Sequence, residues 1–314
     1  MYESIKNFPK QFLWEPEIKS PAPFLRDRTN FVIAGMGGSA LGGELLKAVF
    51  QNLDIKIHRD YGLPAASPLS LIIASSFSGN TEETLDAFLD ARRRGLPLAV
   101  VASGGKLLEL AKHDNIPYIE LPRADIQPRA ALGYSVKAIL KLMGNESALE
   151  ETAKLSGLLN VAVAEEDGKT LAELLKSRIP IIYSSAKNFP IVYNWKIKFN
   201  ETVKIPAFAN RLPELNHNEM TGFSAGSGQA KFSFIFLEDS DDDLRIIKRM
   251  KITKKLYEDR KLEVKSLRLE GQSQFHKIFQ NLLVADFTAY YLAKYYGVDP
   301  AEVPMVDEFK RLIK

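Results

Sequence analysis

From about residue 31 the chain alternates between short apolar runs and longer segments whose apolar residues recur at helical spacing. The runs are Phe31-Val-Ile-Ala34, Asp54-Ile-Lys-Ile57, Leu69–Ala74, Leu98–Ala102 and Ile116–Ile119. Short, β-branched-rich runs separated by amphipathic stretches predict strands joined by crossover helices, hence a parallel sheet covered by helices. The series continues to about Gly144-Asn145, and residues 146–177, rich in Ala, Leu, Glu and Lys, predict one or two bridging helices. A second series follows, with strands at Ile179–Tyr183, Lys231–Leu237 and Leu262–Val264, an apolar-aromatic helix over 192–204 and a long amphipathic helix at 273–296. The pattern therefore predicts an α/β protein of two doubly wound subdomains, residues 1–150 and 151–314, repeated in architecture without a residue-level repeat. Asp239-Ser-Asp-Asp-Asp243 reads as a solvated turn and helix start.

Composition narrows the function classes. The 314 residues are 46% hydrophobic, enough for two cores of ordinary size. With 42 basic and 39 acidic residues the net charge is only +3, so bulk electrostatics give no reason to expect nucleic acid or a membrane as partner. The absence of cysteine excludes disulfides, thiolate metal sites and thiol nucleophiles. The N-terminus MYESIKNFPKQFLWEP has neither the pattern of a signal peptide nor that of an anchor, and the expected location is the cytoplasm.

Two strand-to-helix loops carry the candidate chemistry. The first, Gly35-Met-Gly37-Gly38-Ser39-Ala40-Leu-Gly42-Gly43, puts glycines where a backbone approaches a ligand and a helix N-terminus offers free N–H groups. It lacks the Lys of a Walker loop. It does satisfy G-x-G-x-x-A, with Asp54 or Asp60 at a tolerable distance for a ribose, and a ligand-free tight turn is the plainer alternative. The second loop, Ser75-Ser76-Phe77-Ser78-Gly79-Asn80-Thr81, favours a phosphate. Asn80 and Glu83 suffice for a helix cap, yet Ser76, Ser78 and Thr81 add three hydroxyls around a Gly turn, a set of O–H and N–H donors suited to one compact phosphate.

Together these loops resemble the sugar-isomerase (SIS) domain, which implies two SIS-type subdomains. Trp195-Lys-Ile-Lys-Phe-Asn200-Glu201-Thr-Val-Lys, Leu212-Pro-Glu214-Leu-Asn-His217-Asn218-Glu219 and the C-terminal Tyr291-Leu-Ala, Gly297-Val-Asp-Pro300 and Lys310 are similar to the bifunctional phosphoglucose/phosphomannose isomerase family. The resemblance implies a homodimer whose active sites lie where subdomains and subunits meet, acting without cofactor or metal on glucose 6-phosphate and mannose 6-phosphate to give fructose 6-phosphate. It makes Gly37, Gly38, Ser39, Ser76, Ser78, Thr81 and Pro128 the substrate-binding shell. It also makes Arg129 the intermediate-stabilising cation, Glu201 the base, His217 the ring-opening group and Lys310 an active-site lysine. Thr202-Val203 stand where many relatives have Asn-Ala, which alters the neighbours of the base.

The residue types suit that chemistry. One carboxylate can move a proton between C2 and C1 through a cis-enediol, an imidazole titrates nearest the range ring opening needs, and a guanidinium offers fixed charge to an enediolate. Each also has an ordinary explanation: Glu201 as a solvent-facing charge, His217 as a turn residue, Arg129 as a helix cap, Lys310 as a solvated lysine in Lys310–Lys314. His58, His113, His217 and His276 lie far apart, none with a second His at i+2 or i+4, so no metal is expected. A non-catalytic phosphosugar sensor and an NAD-dependent dehydrogenase are the alternatives. A sensor needs the loops but neither Glu201 nor His217.

Overall fold

The computed structural model describes residues 1–25, 28–123, 126–224 and 231–313. The chain divides into two compact units, Lys6–Leu159 and Asn160–Lys314, the latter joined by Met1–Ile5. The division thus falls after Leu159 rather than 150, because the helices Glu146–Ala153 and Leu155–Leu158 pack on the first unit, the second of them against the 3-10 turn Phe8–Leu13. Met1–Ile5 go with the other unit, where the Tyr2 hydroxyl donates to Glu165 Oε1 at 3.0 Å.

Among the described residues, the first unit holds a parallel five-stranded sheet of β1 (Asn30–Ala34), β2 (Asp54–His58), β3 (Leu71–Ser76), β4 (Leu98–Ala102) and β5 (Tyr118–Glu120), ordered β2-β1-β3-β4-β5. β3 and β4 are buried at every position, as strands with helices on both faces must be. One core face joins Val32, Ile72, Val100 and Phe88. The order reverses between β1 and β3, where Ala34 pairs with Ala74, and this is the switch point at which open α/β sheets bind ligands.

The second unit repeats the plan with one strand fewer among its described residues: β6 (Ile179–Ser185), β7 (Phe208–Leu212), β8 (Phe232–Glu238) and β9 (Glu263–Arg268), parallel, in the order β7-β6-β8-β9. The long helix runs Gln274–Tyr296, capped by the Ser273 hydroxyl, which accepts from His276 N, and ended by Gly297 at φ 67°. β7 is an addition to the sequence reading, and the helix expected over 192–204 instead ends at Lys198 and widens into a π turn, Phe199–Val203.

The acidic run 239–243 also departs from expectation. Asp243 does start the helix Leu244–Glu258 as its N-cap, accepting from Arg245 N. Asp239 and Asp242, however, are buried rather than solvated. Asp239 is bonded by Lys277 at 2.7 Å, Lys187 at 2.9 Å and Asn188 at 3.0 Å, and Asp242 by the Ser185 hydroxyl at 2.8 Å. These groups fill the ends of β6 and β8, the second unit's own switch point.

Candidate functional site

In the first unit both candidate loops leave neighbouring strands at the switch point. Gly37 has φ +46°, a value that suits glycine, and opens the helix Gly37–Val49. Gly38 is needed for a different reason: a Cβ there would lie 2.8 Å from both Arg129 N and Pro128 C. The missing side chain lets the Pro128–Ala130 turn lie against the loop, so the structure brings Gly37, Gly38 and Ser39 together with Pro128 and Arg129. Arg129 is buried and Pro128 exposed.

The two loops are also tied to each other. The Ser75 hydroxyl donates to Ser39 O at 3.0 Å, and Phe77 N donates to the Ser39 hydroxyl at 2.9 Å. Ser76, fully buried, shares a hydrogen bond with the Thr81 hydroxyl at 2.9 Å and accepts from Gly79 N at 3.1 Å. Its hydroxyl thus shapes the turn from inside, whereas Ser78 is exposed and accepts from Asn80 N at 3.3 Å.

The expected Asn80–Glu83 cap does not form. Thr81 is the N-cap of Glu82–Arg93 and makes no side-chain cap bond, while Asn80 Oδ1 accepts from Lys106 N at 3.0 Å. Asn80 is drawn away by a third loop the sequence reading overlooked, Ser103-Gly104-Gly105. A Cβ on Gly79, at φ +70°, would sit 1.8 Å from Gly104 O, so this loop packs directly on the turn. Met36, the N-cap of Gly37–Val49, also has no side-chain cap bond. Two helix N-termini therefore point uncapped N–H groups at one place, an arrangement that favours a small anion. Asp54 begins β2, at the opposite end of the strand from the glycine loop, so a ribose contact from it has no geometric basis.

In the second unit, Glu201 lies partly buried in the π turn Phe199–Val203, a wide turn of the kind frequent at functional sites. The turn is anchored on both sides: Phe199, Thr202 and Val203 are buried, Asn200 Nδ2 donates to Ile205 O at 2.9 Å, and Lys204, left-handed at φ 62°, ends it. The preceding helix Phe189–Lys198 is fixed to Gln274–Tyr296 by Trp195 Nε1 donating to Asn281 Oδ1 at 2.7 Å and by the buried pair Lys198–Asp286 at 2.5 Å.

His217 ends the 3-10 turn Glu214–His217 and is exposed. Its neighbours are all engaged. Leu212 and Leu215 enter the core, Asn216 Nδ2 donates to the Thr253 hydroxyl at 2.8 Å, and Asn218 Nδ2 donates to Glu214 Oε1 at 2.6 Å. Glu219 accepts from the Tyr183 hydroxyl and from Asn210, and burial together with that carboxylate pushes the Tyr183 phenol far above its ordinary value. The imidazole itself is exposed and has no hydrogen-bond partner among the described residues. Lys310 is exposed on the helix Pro304–Leu312. Among the described residues no group of three or more His, Asp or Glu is arranged to hold a metal ion, and no helix is long and apolar enough to cross a membrane.

Comparison with known proteins gives the family of the chain. Residues 164–313 match the model of the bacterial phospho-glucose isomerase C-terminal SIS domain. A bifunctional phosphoglucose/phosphomannose isomerase from Caldicellulosiruptor bescii is 36% identical over 99% of this chain and 98% of its own. One from Aquifex aeolicus is 33% identical over 100% and 98%. Among solved structures, a hypothetical protein from Thermus thermophilus shares the fold with a TM-score of 0.72 at 16% identity, covering 99% of this chain and 87% of that one. Identity of this level over nearly the whole of both chains shows that the chain belongs to the bifunctional phosphoglucose/phosphomannose isomerase family.

Proposed function

We propose that this protein interconverts glucose 6-phosphate and mannose 6-phosphate with fructose 6-phosphate. The observation that carries the reading is the coupling of two uncapped helix N-termini and a hydroxyl turn at one switch point, in a chain of this family. In this reading the phosphate is held by the N–H groups of Gly37 and Gly38 with the hydroxyls of Ser39, Ser78 and Thr81, while Ser76 keeps their turn in shape; the Ser39 N–H itself donates to Met36 O at 3.0 Å. A phosphate bound by its own charge leaves the sugar carbons free for chemistry.

His217, exposed and without a hydrogen-bond partner among the described residues, moves the proton between ring oxygen and anomeric hydroxyl. Glu201 then takes the C2 proton of the open aldose and returns it at C1, giving fructose 6-phosphate. Because the intermediate is planar at C2, return of the proton to either face there yields the glucose or the mannose epimer. Arg129 supplies fixed positive charge to the enediolate oxygens, where charge develops only as the proton leaves. Lys310 serves as a further cation toward the substrate. The reading includes a cytoplasmic homodimer, whose mass light scattering would measure.

Purified protein treated with chelator should convert both aldose phosphates to fructose 6-phosphate. Glu201→Gln should retain substrate binding and lose turnover by about 10²-fold or more. Failure to act on either sugar overturns the activity; a fully active Glu201→Gln removes Glu201 as the base.

A further inference from the structure

The turn that carries Arg129, met at Pro128 and Arg129 N by Gly38, is gripped one residue further on by a residue remote in sequence. Gln11, in the 3-10 turn Phe8–Leu13, is 4% exposed. Its Nε2 donates to Ala130 O at 2.7 Å and its Oε1 accepts from Gly133 N at 3.0 Å. One amide therefore spans the passage from the Pro128–Ala130 turn into the helix Leu132–Leu142. The two partners fix its orientation, since a carbonyl needs the NH2 and an N–H needs the oxygen.

The fit is close. A Cβ on Gly133 would lie 2.7 Å from Gln11 Cβ, so this approach requires glycine. The neighbouring residue is held as well: Lys137, buried on the same helix, donates to Phe12 O at 2.6 Å, and burial lowers its ammonium below the ordinary value. Simple packing would call for an apolar residue at position 11. Here a side chain with a donor and an acceptor clasps the backbone on the C-terminal side of Arg129, while Gly38 meets that backbone at Pro128 and Arg129 N.

We propose that Gln11 is a positioning residue for Arg129, its amide bridge from Ala130 O to Gly133 N setting where the guanidinium stands. The inference rests on the proposed role of Arg129 at the enediolate. A small displacement of such a cation weakens charge stabilisation in the transition state without touching the phosphate cup.

A double-mutant cycle on the full-length protein tests it. Gln11→Met, which keeps length and loses both bonds, should lower kcat about tenfold with KM for glucose 6-phosphate within about twofold. In an Arg129→Ala background the same change should cost less than about twofold, because nothing remains to be positioned. If Gln11→Met does not fold, Gln11→Glu, which keeps the acceptor for Gly133 N and loses the donor to Ala130 O, takes its place in the cycle. Equal losses in the two backgrounds, with Arg129→Ala itself severely impaired, overturn the role of Gln11 and leave that of Arg129 standing. So does unchanged kcat in the Gln11 variant. Full turnover by Arg129→Ala overturns the role of Arg129, and the positioning inference with it.

Discussion

Gly38 meets the backbone of Arg129 so closely that a methyl group at position 38 would stand 2.8 Å from Arg129 N. The atoms in the way belong to the backbone, so Gly38→Ala must displace the turn or the loop. The expected result is a loss of kcat/KM of at least about tenfold, with a stability cost of about 1–3 kcal/mol from overpacking. Gly37→Ala is the control: its Cβ would meet nothing within 4 Å, and only the φ of +46° opposes it. That variant should lose about 1 kcal/mol and far less activity. Steady-state kinetics with thermal melts on both separate the two effects, and equal activity losses would show that contact with Arg129 is not what Gly38 provides.

Two serines of one loop should behave differently. Ser76→Ala removes a buried hydroxyl, strips the Thr81 hydroxyl of its partner and should cost about 1–2 kcal/mol. Ser78→Ala should leave stability within about 0.5 kcal/mol, because its hydroxyl is exposed, and raise KM several-fold if that hydroxyl donates to the phosphate as proposed. Competition by inorganic phosphate reports the same loss independently. An unchanged KM and phosphate affinity in Ser78→Ala would remove that residue from the cup.

The buried carboxylates at the ends of β6 and β8 predict opposing pH effects. Burial alone would raise Asp239, but bonds from Lys187, Lys277, Asn188 and the Asp241 N–H outweigh it and hold the group well below its ordinary value of 3.8. A depressed folded value contributes stability above the unfolded value, and that contribution fades as pH falls through the folded one. Asp239→Asn should therefore cost about 2–4 kcal/mol near pH 7, with the deficit shrinking below about pH 4. Asp242 is raised, first by burial and then by Asp239, so its charge costs stability at neutral pH. Asp242→Asn should leave neutral stability unchanged or higher. Urea denaturation at pH 7 and pH 3.5 compares them, and a deficit in Asp239→Asn that ignores pH would sink the argument.

How far the chain could be read in advance follows from what each element depends on. Leu98–Ala102 declares itself because a strand covered on both faces must be apolar throughout, and every one of its residues is buried. β7 does not: Phe208-Ala-Asn-Arg-Leu212 is an edge strand with Phe208 and Arg211 exposed, placed by its pairing with β6 rather than by its own hydrophobicity. The π turn is equally silent, because Trp195–Val203 keeps an unbroken helical look and the widening depends on Lys204 and on the Asn200 bond to Ile205 O. The candidate residues themselves were legible from the glycine and hydroxyl loops and from the motifs around Glu201 and His217. Their supports were not, since Gln11, Gly104 and Asp286 act through contacts remote in sequence that no spacing announces.

The pair Lys198–Asp286 is the clearest case of such a support. Both side chains are almost wholly buried, and Lys198 immediately precedes the π turn that carries Glu201. Taking two charges out of water is expensive, so the pair adds little net stability, yet removing one partner leaves the other as an uncompensated buried charge. Asp286→Ala should accordingly cost about 3–5 kcal/mol by chemical denaturation, and Lys198→Met combined with Asp286→Leu should recover most of that loss. Stability and catalysis then part company. The double variant restores packing but not the salt bridge that fixes the end of Phe189–Lys198, so its kcat should stay about tenfold or more below the parent while KM changes little. Recovery of kcat along with stability would mean that packing alone places Glu201, and persistent instability of the double variant would mean that the core here cannot close without the charges.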